Sequence, residues 1–241
     1  MTKTSPDTAF ILAAGKGSRL QPFTDHMPKP MVPVGGKPLI DHILKKLESE
    51  KIRKVVINTH HLRNILEKHL EKTTCPQIVF SPEQDLLDTG GGVKKALLEL
   101  GSAPFFMING DAFWDEKTDK TALGRLSEYW DPEKMDILIL LQPVDRMILT
   151  KGVGDYDLTP DGRAVRNKEK RGQYMFAGVR ITKPTLFKNR TEDIFSFLDL
   201  MDEAEQKRQL YGLVHEGAWH HISTPEDLER VNAALEKGCA A

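Results

Sequence analysis

Cysteine is nearly absent from this chain: Cys75 and Cys239 are the two in 241 residues, and no C-x-x-C pair occurs. That excludes a disulfide framework and a zinc-thiolate site, and it points to a reducing compartment. An excess of either charge is missing too. Lys+Arg 34 against Asp+Glu 35 leaves a net charge of −1, so no overall basic field argues for nucleic acid or a membrane surface as partner. No apolar run approaches a membrane span, and "MTKTSPDTAF" lacks the long apolar segment of a signal peptide. The expectation is a cytoplasmic protein. Internal repeats, low-complexity linkers and a hexapeptide β-helix pattern are also lacking, which removes the repeat architectures. No Ser-His-Asp or Cys-His arrangement offers a nucleophile.

What the chain does have is alternation. "AFILAA", "KVVINT", "QIVFS" and "PFFMING" read as strands, separated by "PLIDHILKKLESE", "LRNILEKHLEK" and "VKKALLELG" with apolar residues at helical spacing. In the first of these helices Leu39, Ile40, Ile43, Leu44 and Leu47 share a face, and Pro38 occupies a first-turn position. The pattern predicts an α/β fold, a Rossmann-like, mostly parallel sheet flanked by helices. Further on, "MDILILLQP", "YMFAGVRIT", "LYGLVHE" and "AWHHIS" read as strands, "DYDLTPDGRAV" as a hairpin turning at Thr159–Gly162, and "FSFLDLMDEAEQK" as a helix. "TPEDLERVNAALEK" opens with Thr224 as N-cap, Pro225 at N1 and Asp227 three residues after the cap. Length favours one domain over 1–241, with a boundary between lobes near 135–145. Trp130 and Trp219 read as core.

Ligands on such sheets bind at the carboxyl ends of the strands. Two features lie there, the glycine loop of "FILAAGKGSRLQPFTDHMPKP" and the "NGD" ending at Asp111. The loop is not a dinucleotide fingerprint, since Leu20 stands where a third glycine is needed. It is not a P-loop either, since Gly17 follows Lys16 and no glycine precedes Gly15. Two glycines alone also describe an ordinary turn. Arg19 and the "PKP" unit change that reading. A polyphosphate cradled by backbone N–H groups needs neutralising charge, which Arg19 supplies as a fork and Lys29 as a compact cation. Pro28 and Pro30 restrict the chain on either side of Lys29.

The run from Leu12 to Thr24, L-A-A-G-x-G-x-R-L-x-P-x-T, followed by Pro28–Pro30, resembles the signature of the sugar-1-phosphate nucleotidyltransferases. "VGGKPLIDH", "SPEQDLLDTGGGVKKAL", "FFMINGDAF", "YMFAGVRI" and "GAWHHISTPEDL" extend the resemblance over nearly the whole chain. It implies a nucleotide-diphospho-sugar transferase fold, with a nucleotide-binding half over about 1–140 and a sugar-binding half over about 141–241. It implies attack of a sugar 1-phosphate on the α-phosphorus of a nucleoside triphosphate, releasing pyrophosphate. The partners are then small molecules, and the protein a monomer or homodimer. Arg19, Lys29 and Asp111 take the catalytic roles, with Asp111 also holding Mg²⁺. Leu12, Ala13, Ala14, Gly15 and Gly17 would hold the nucleotide, closed on the other side by Glu83, Thr89 and Gly90. Gly90, Gly91 and Gly92 have a second reading as the start of the following helix. Asn109, Gly154, Glu169 and Gly178 are the sugar-side candidates, although Glu169-Lys170 lacks the proline of the family's Glu-Lys-Pro.

One departure stands out. The family's second metal ligand is an Asp in G-x-W-x-D-[IV]-G-T, and this chain reads Gly217-Ala218-Trp219-His220-His221-Ile222-Ser223-Thr224. His221 replaces the carboxylate and Ser223 the glycine. Imidazole suits Mn²⁺ or Zn²⁺ better than Mg²⁺. Mg²⁺ can instead rest on Asp111, phosphates and water, or another acid, Asp85, Asp88 or Asp115, can substitute. A third reading is a protein that binds nucleotide and turns over poorly, a sensor on the same fold. His60-His61 with His220-His221 is a weaker metal proposal, since neighbouring side chains on a strand point apart. Among branches, the short chain, the extra glycines and the "GDYDLTPDGR" hairpin resemble N-acetylmuramate-1-phosphate uridylyltransferases of peptidoglycan recycling, with mannose-1-phosphate guanylyltransferases as the alternative.

Overall fold

An apolar pentapeptide, β1 (Thr8–Leu12), is the strand around which the rest is laid down. A computed structural model describes residues 5–238, so Cys239 lies outside the described residues. After β1 come single helical turns at Ser18–Leu20, Phe23–Asp25 and Lys29–Met31, then the short pair β2 (Pro33–Val34) and β3 (Lys37–Pro38). The next elements are α1 (Leu39–Ser49), β4 (Lys54–Thr59), α2 (Arg63–Leu70), β5 (Gln77–Pro82), α3 (Asp88–Lys95), α4 (Leu97–Leu100) and β6 (Phe105–Asn109). They are followed by β7 (Ala112–Trp114), α5 (Ala122–Tyr129), β8 (Ile137–Pro143), β9 (Tyr156–Leu158), β10 (Ala164–Arg166) and β11 (Tyr174–Thr182). The chain finishes with α6 (Phe197–Gln206), β12 (Leu210–Val214), β13 (Trp219–His221) and α7 (Pro225–Glu236).

Among the described residues nine strands form one mixed sheet in the order β10–β9–β11–β6–β1–β4–β5, with β8 beside β11 and β12 beside β8. β6, β1, β4 and β5 run parallel, Ile11 lying level with Ile57 and Ile108. β11 runs antiparallel to β6. Side-chain alternation along β1 sends Ala9 and Ile11 to one core layer and Phe10 to the other. Ile40, Ile43 and Leu47 of α1 cover the first layer with Leu66 and Leu70 of α2, and Trp130 and Trp219 join it. Val93 of α3 with Phe197, Leu200 and Met201 of α6 cover the second. With both faces covered, a strand can be apolar throughout, and all of β8 is buried.

Three details depart from the sequence expectations. Pro38 is the residue before α1 and not its first turn. The helix expected from Val93 starts at Asp88, takes in the three glycines, and breaks at Ala96 before α4. α5, capped by the Thr121 hydroxyl accepting from Gly124 N, gave no clear periodic signal. The C-terminal segment also crosses the expected lobe boundary: β13 pairs with β7, and Leu228 and Val231 of α7 pack with Val32, Val34 and Leu39.

Candidate active site

The carboxyl ends of β1, β4, β5 and β6 enclose a cavity of about 450 Å³. Leu12, Ala13, Ala14, Gly15 and Gly17 form one wall, Glu83 and Thr89 lie on another, and Lys29, Asn109 and Asp111 also line it. The tight turn of the loop depends on Gly17. Its φ is +65°, and a Cβ there would come within 2.8 Å of Thr24 Cγ2, whose hydroxyl donates to Gly17 O at 2.9 Å. Arg19 is exposed outside the cavity lining, in the turn that follows, and makes no salt bridge among the described residues.

Lys29 sits in a helical turn whose Met31 N donates back to Pro28 O. Its ammonium donates to Asp111 Oδ2, an ion pair with the lysine side chain 15% and the aspartate 36% exposed. Asp111 follows β6 through Gly110, whose N–H donates to Leu12 O at 2.8 Å and joins the two strand ends. Burial alone would raise the Asp111 pKa. The Lys29 charge and hydrogen bond outweigh it and hold the carboxyl below its ordinary value.

His221 lies opposite Ala112 in the β13–β7 pair, one residue from Asp111, and its backbone N donates to Thr150 Oγ1 at 3.0 Å. Burial pushes its imidazole pKa down, Asp111 opposes this, and Lys29 and Arg19 push it down further. No group of three or more His, Cys, Asp or Glu side chains gathers into a metal cage among the described residues. Asp88 lines the cavity. Asp115 instead takes His220, with Oδ2 3.2 Å from Nε2. His60 pairs with Glu83 O and His61 with Thr24 O, so the histidines do not form a set. Asp111 is therefore the cavity carboxylate paired with Lys29, and His221 is the imidazole whose charge it influences.

Other expected residues are placed differently. Glu83 is 4% exposed and its carboxylate is engaged on both oxygens, accepting from Asn58 Nδ2 at 2.7 Å and from Leu87 N at 3.1 Å. Asn58 Oδ1 in turn accepts from Ala13 N at 2.7 Å. This chain fixes the Ala13 peptide from behind. Asn58 was not anticipated, although a polar residue near the end of "VVINT" was a visible cue. Gly90 lies within α3, outside the cavity lining, and a Cβ there would meet Phe195 at 2.3 Å. Its glycine serves the close packing of α3 on the 193–197 segment. Gly154 bridges to Arg171, away from the cavity, and Glu169 is exposed with Arg171 as its ion partner. Gly178 backs Asn109 without lining the cavity. Ser223 donates from N and Oγ to Asp227 Oδ2, which makes it part of the start of α7.

The nucleotidyl transferase family profile matches residues 8–147. Over 229 residues the chain is 35% identical to the N-acetylmuramate alpha-1-phosphate uridylyltransferase of Caulobacter vibrioides, covering 92% of this chain and 94% of that one. The protein of the same name from Neisseria meningitidis serogroup B is 31% identical over 230 residues, covering 93% and 96%. Among solved structures, UDP-glucose pyrophosphorylase complexed with UDP-glucose superposes with a TM-score of 0.76 at 18% identity, covering 96% of this chain and 99% of that one. The inositol-1-phosphate CTP transferase from T. maritima gives 0.73 at 18%, covering 99% of each. Both share the fold. The sequence matches take the argument further than the fold alone: this chain belongs to the nucleotidyl transferase family and is a sugar-1-phosphate nucleotidyltransferase.

Proposed function

We propose that the chain transfers a uridylyl group from UTP to N-acetylmuramate 1-phosphate. The observation that carries the chemistry is the meeting of Lys29 and Asp111 on the glycine-loop cavity. The relatives at 35% and 31% identity, matched over nearly their full length, support the choice of base and sugar. A sugar-phosphate oxygen attacks the α-phosphorus, the bond from α-phosphorus to the bridging oxygen breaks, and pyrophosphate leaves. The nucleophile arrives ionised, so no general base is required. The obstacle is repulsion between anions and their in-line alignment.

The loop N–H groups and Arg19 serve the triphosphate, and Lys29 the α-phosphate or the incoming sugar phosphate. Asp111 pairs with the Lys29 ammonium on the cavity wall. Its hard oxygen, partly exposed and already holding a cation, fits a divalent metal such as Mg²⁺, with His221 favouring Mn²⁺ if it takes part. Such an ion supplies charge neutralisation for the phosphates when bound. The nucleotide-binding role of the N-terminal half and the sugar-binding role of the rest belong to this proposal.

Pyrophosphate release with Mg²⁺, UTP and N-acetylmuramate 1-phosphate, run beside GTP with mannose 1-phosphate, tests it. Release with the first pair is expected. Release with the second pair alone would transfer the assignment to a guanylyltransferase, and tight UTP binding without release from either would favour a nucleotide sensor.

A further inference from the structure

Beyond Asn109 and Thr89, which line both spaces, a second hollow of about 260 Å³ lies between β9, β10, β11 and α6. Arg180 of β11 lines it and is 3% exposed. Its guanidinium lies 4.9 Å from the Phe176 ring centre and 4.5 Å from that of Phe197. Nη2 donates to Asn109 Oδ1 at 3.1 Å, Nη1 lies 3.8 Å from Met201 Sδ, and Nε has no partner among the described residues. No carboxylate pairs with this cation among the described residues. The nearby acids are already engaged, Asp155 by Lys170 and Asp202 by Arg166. Burial lowers the Arg180 pKa to about 9, which still leaves it charged at neutral pH.

A buried charge without a counter-ion is costly, and proteins rarely keep one that nothing uses. We propose that this hollow receives the carboxylate of an acidic sugar 1-phosphate and that Arg180 pairs with it. The proposal rests on the nucleotidyl transfer reading, which puts the sugar phosphate at the Lys29–Asp111 end of the cavity. Asn109 ends β6 two positions before Asp111, so a substituent of a sugar ring held there passes Asn109 into the hollow. The volume accepts a short carboxylate-bearing ether together with some water. Stacking on the aromatic rings and the bond to Asn109 fix the guanidinium beforehand, so little freedom is lost on pairing. Gly178, at φ +74°, keeps Asn109 in place: a Cβ there would stand 3.1 Å from Asn109 Cβ. A neutral sugar brings only hydroxyls, which can accept from Nε but leave the charge uncompensated.

The test is calorimetric binding to the full chain, with Mg²⁺ and a non-hydrolysable UTP analogue present. N-acetylmuramate 1-phosphate is compared with its lactyl carboxamide, which is nearly isosteric and uncharged. The wild type should bind the acid about 10- to 100-fold more tightly than the amide. Arg180→Met should bring that ratio close to one, and Arg180→Lys should leave it intermediate. A wild type that does not distinguish acid from amide overturns the proposal without any variant. So does an Arg180→Met protein that loses affinity for both by the same factor, the behaviour of a residue that only holds Asn109. Pyrophosphate release separates the two readings. Acid preference without release from UTP removes the proposed reaction and keeps the subsite; release without acid preference does the reverse.

Discussion

The hollows that share Asn109 and Thr89 are built in opposite ways. The larger draws its wall from the backbone of one short loop, Leu12 to Gly17, and its charge from Lys29 and Asp111, both partly open to the cavity. The smaller is walled by side chains spread from Thr89 to Met201, and its key cation is sealed between aromatic rings. Backbone N–H groups at a strand end recognise what every nucleoside triphosphate has in common. A buried side-chain charge recognises what one substrate has and another lacks, because the unmatched partner is penalised. Under the proposed function the first region would set the reaction and the second the choice of sugar.

That contrast is tested hardest by Lys29→Ala. Removing a donor aimed at charge that develops in the transition state costs about 10²- to 10³-fold in turnover. The loss should be the same for acidic and neutral sugar 1-phosphates, whereas the Arg180 variant separates them. Turnover measured with saturating substrates decides it. Unchanged turnover would remove Lys29 from the reaction, and a loss confined to the acidic sugar would erase the contrast.

Glu83→Ala comes next. It leaves the Asn58 amide and the Leu87 N–H without acceptors in a buried place, and an unsatisfied buried group costs about 1–3 kcal/mol. Thermal unfolding should drop by several degrees, and KM for UTP should rise more than kcat falls, because the Ala13 peptide loses its support while Lys29 stays. Glu83→Gln, which keeps an acceptor oxygen, should recover much of the stability. A Glu83→Ala protein as stable as wild type with weakened UTP binding would instead make Glu83 a direct contact to the base.

What the sequence showed and what it hid follow the same division. Leu12–Gly17, Asn109 and Asp111 were readable because each lies at or just after an apolar strand, and parallel strands bring such ends together. Lys29, in a helical turn well beyond β1, was instead marked by the prolines on either side of it. Glu83 was expected to close the nucleotide site and does line the cavity, but the partners that engage its carboxylate were hidden, since Asn58 is 25 positions away. The glycine triplet was read either as a binding turn or as the start of the following helix. The structure places it in α3, and the cause of its smallness, Phe195 and Asp193 packed against that helix, lies about a hundred residues further on. Arg180 did leave a trace, a lone charge in the apolar run "FAGVRIT". Its meaning depends on Phe176, Phe197 and Asn109 converging, which no local pattern encodes. Glu169 was suggested by a motif missing its proline, and the structure leaves it exposed.

The smallest effect comes from the C-terminal helix, which packs on Val32, Val34 and Leu39 of the N-terminal half. Asp227 forms a capping box with Thr224, and its Oδ2 also accepts from Ser223 N at 3.2 Å and Ser223 Oγ at 3.1 Å. Serine at 223, where the family motif has glycine, thus supplies an extra donor to the cap. Burial would raise the Asp227 pKa, but the hydrogen bonds from Ser223 and Thr224 prevail and hold it below the ordinary value. A carboxyl whose pKa is lower when folded stabilises the protein above its unfolded pKa, about 3.9, and that contribution is lost as pH falls through the folded value. Asp227→Asn should therefore cost about 1 kcal/mol at neutral pH, roughly 2–4 °C in Tm for a chain of this size. The gap to wild type should close as the pH is lowered below about 4, because the wild-type carboxyl then also loses its charge. Melting both proteins across that range is the measurement. A gap that stays constant down to the lowest pH would show that the cap holds by geometry alone and that the charge of Asp227 contributes nothing to holding α7 against Val32, Val34 and Leu39.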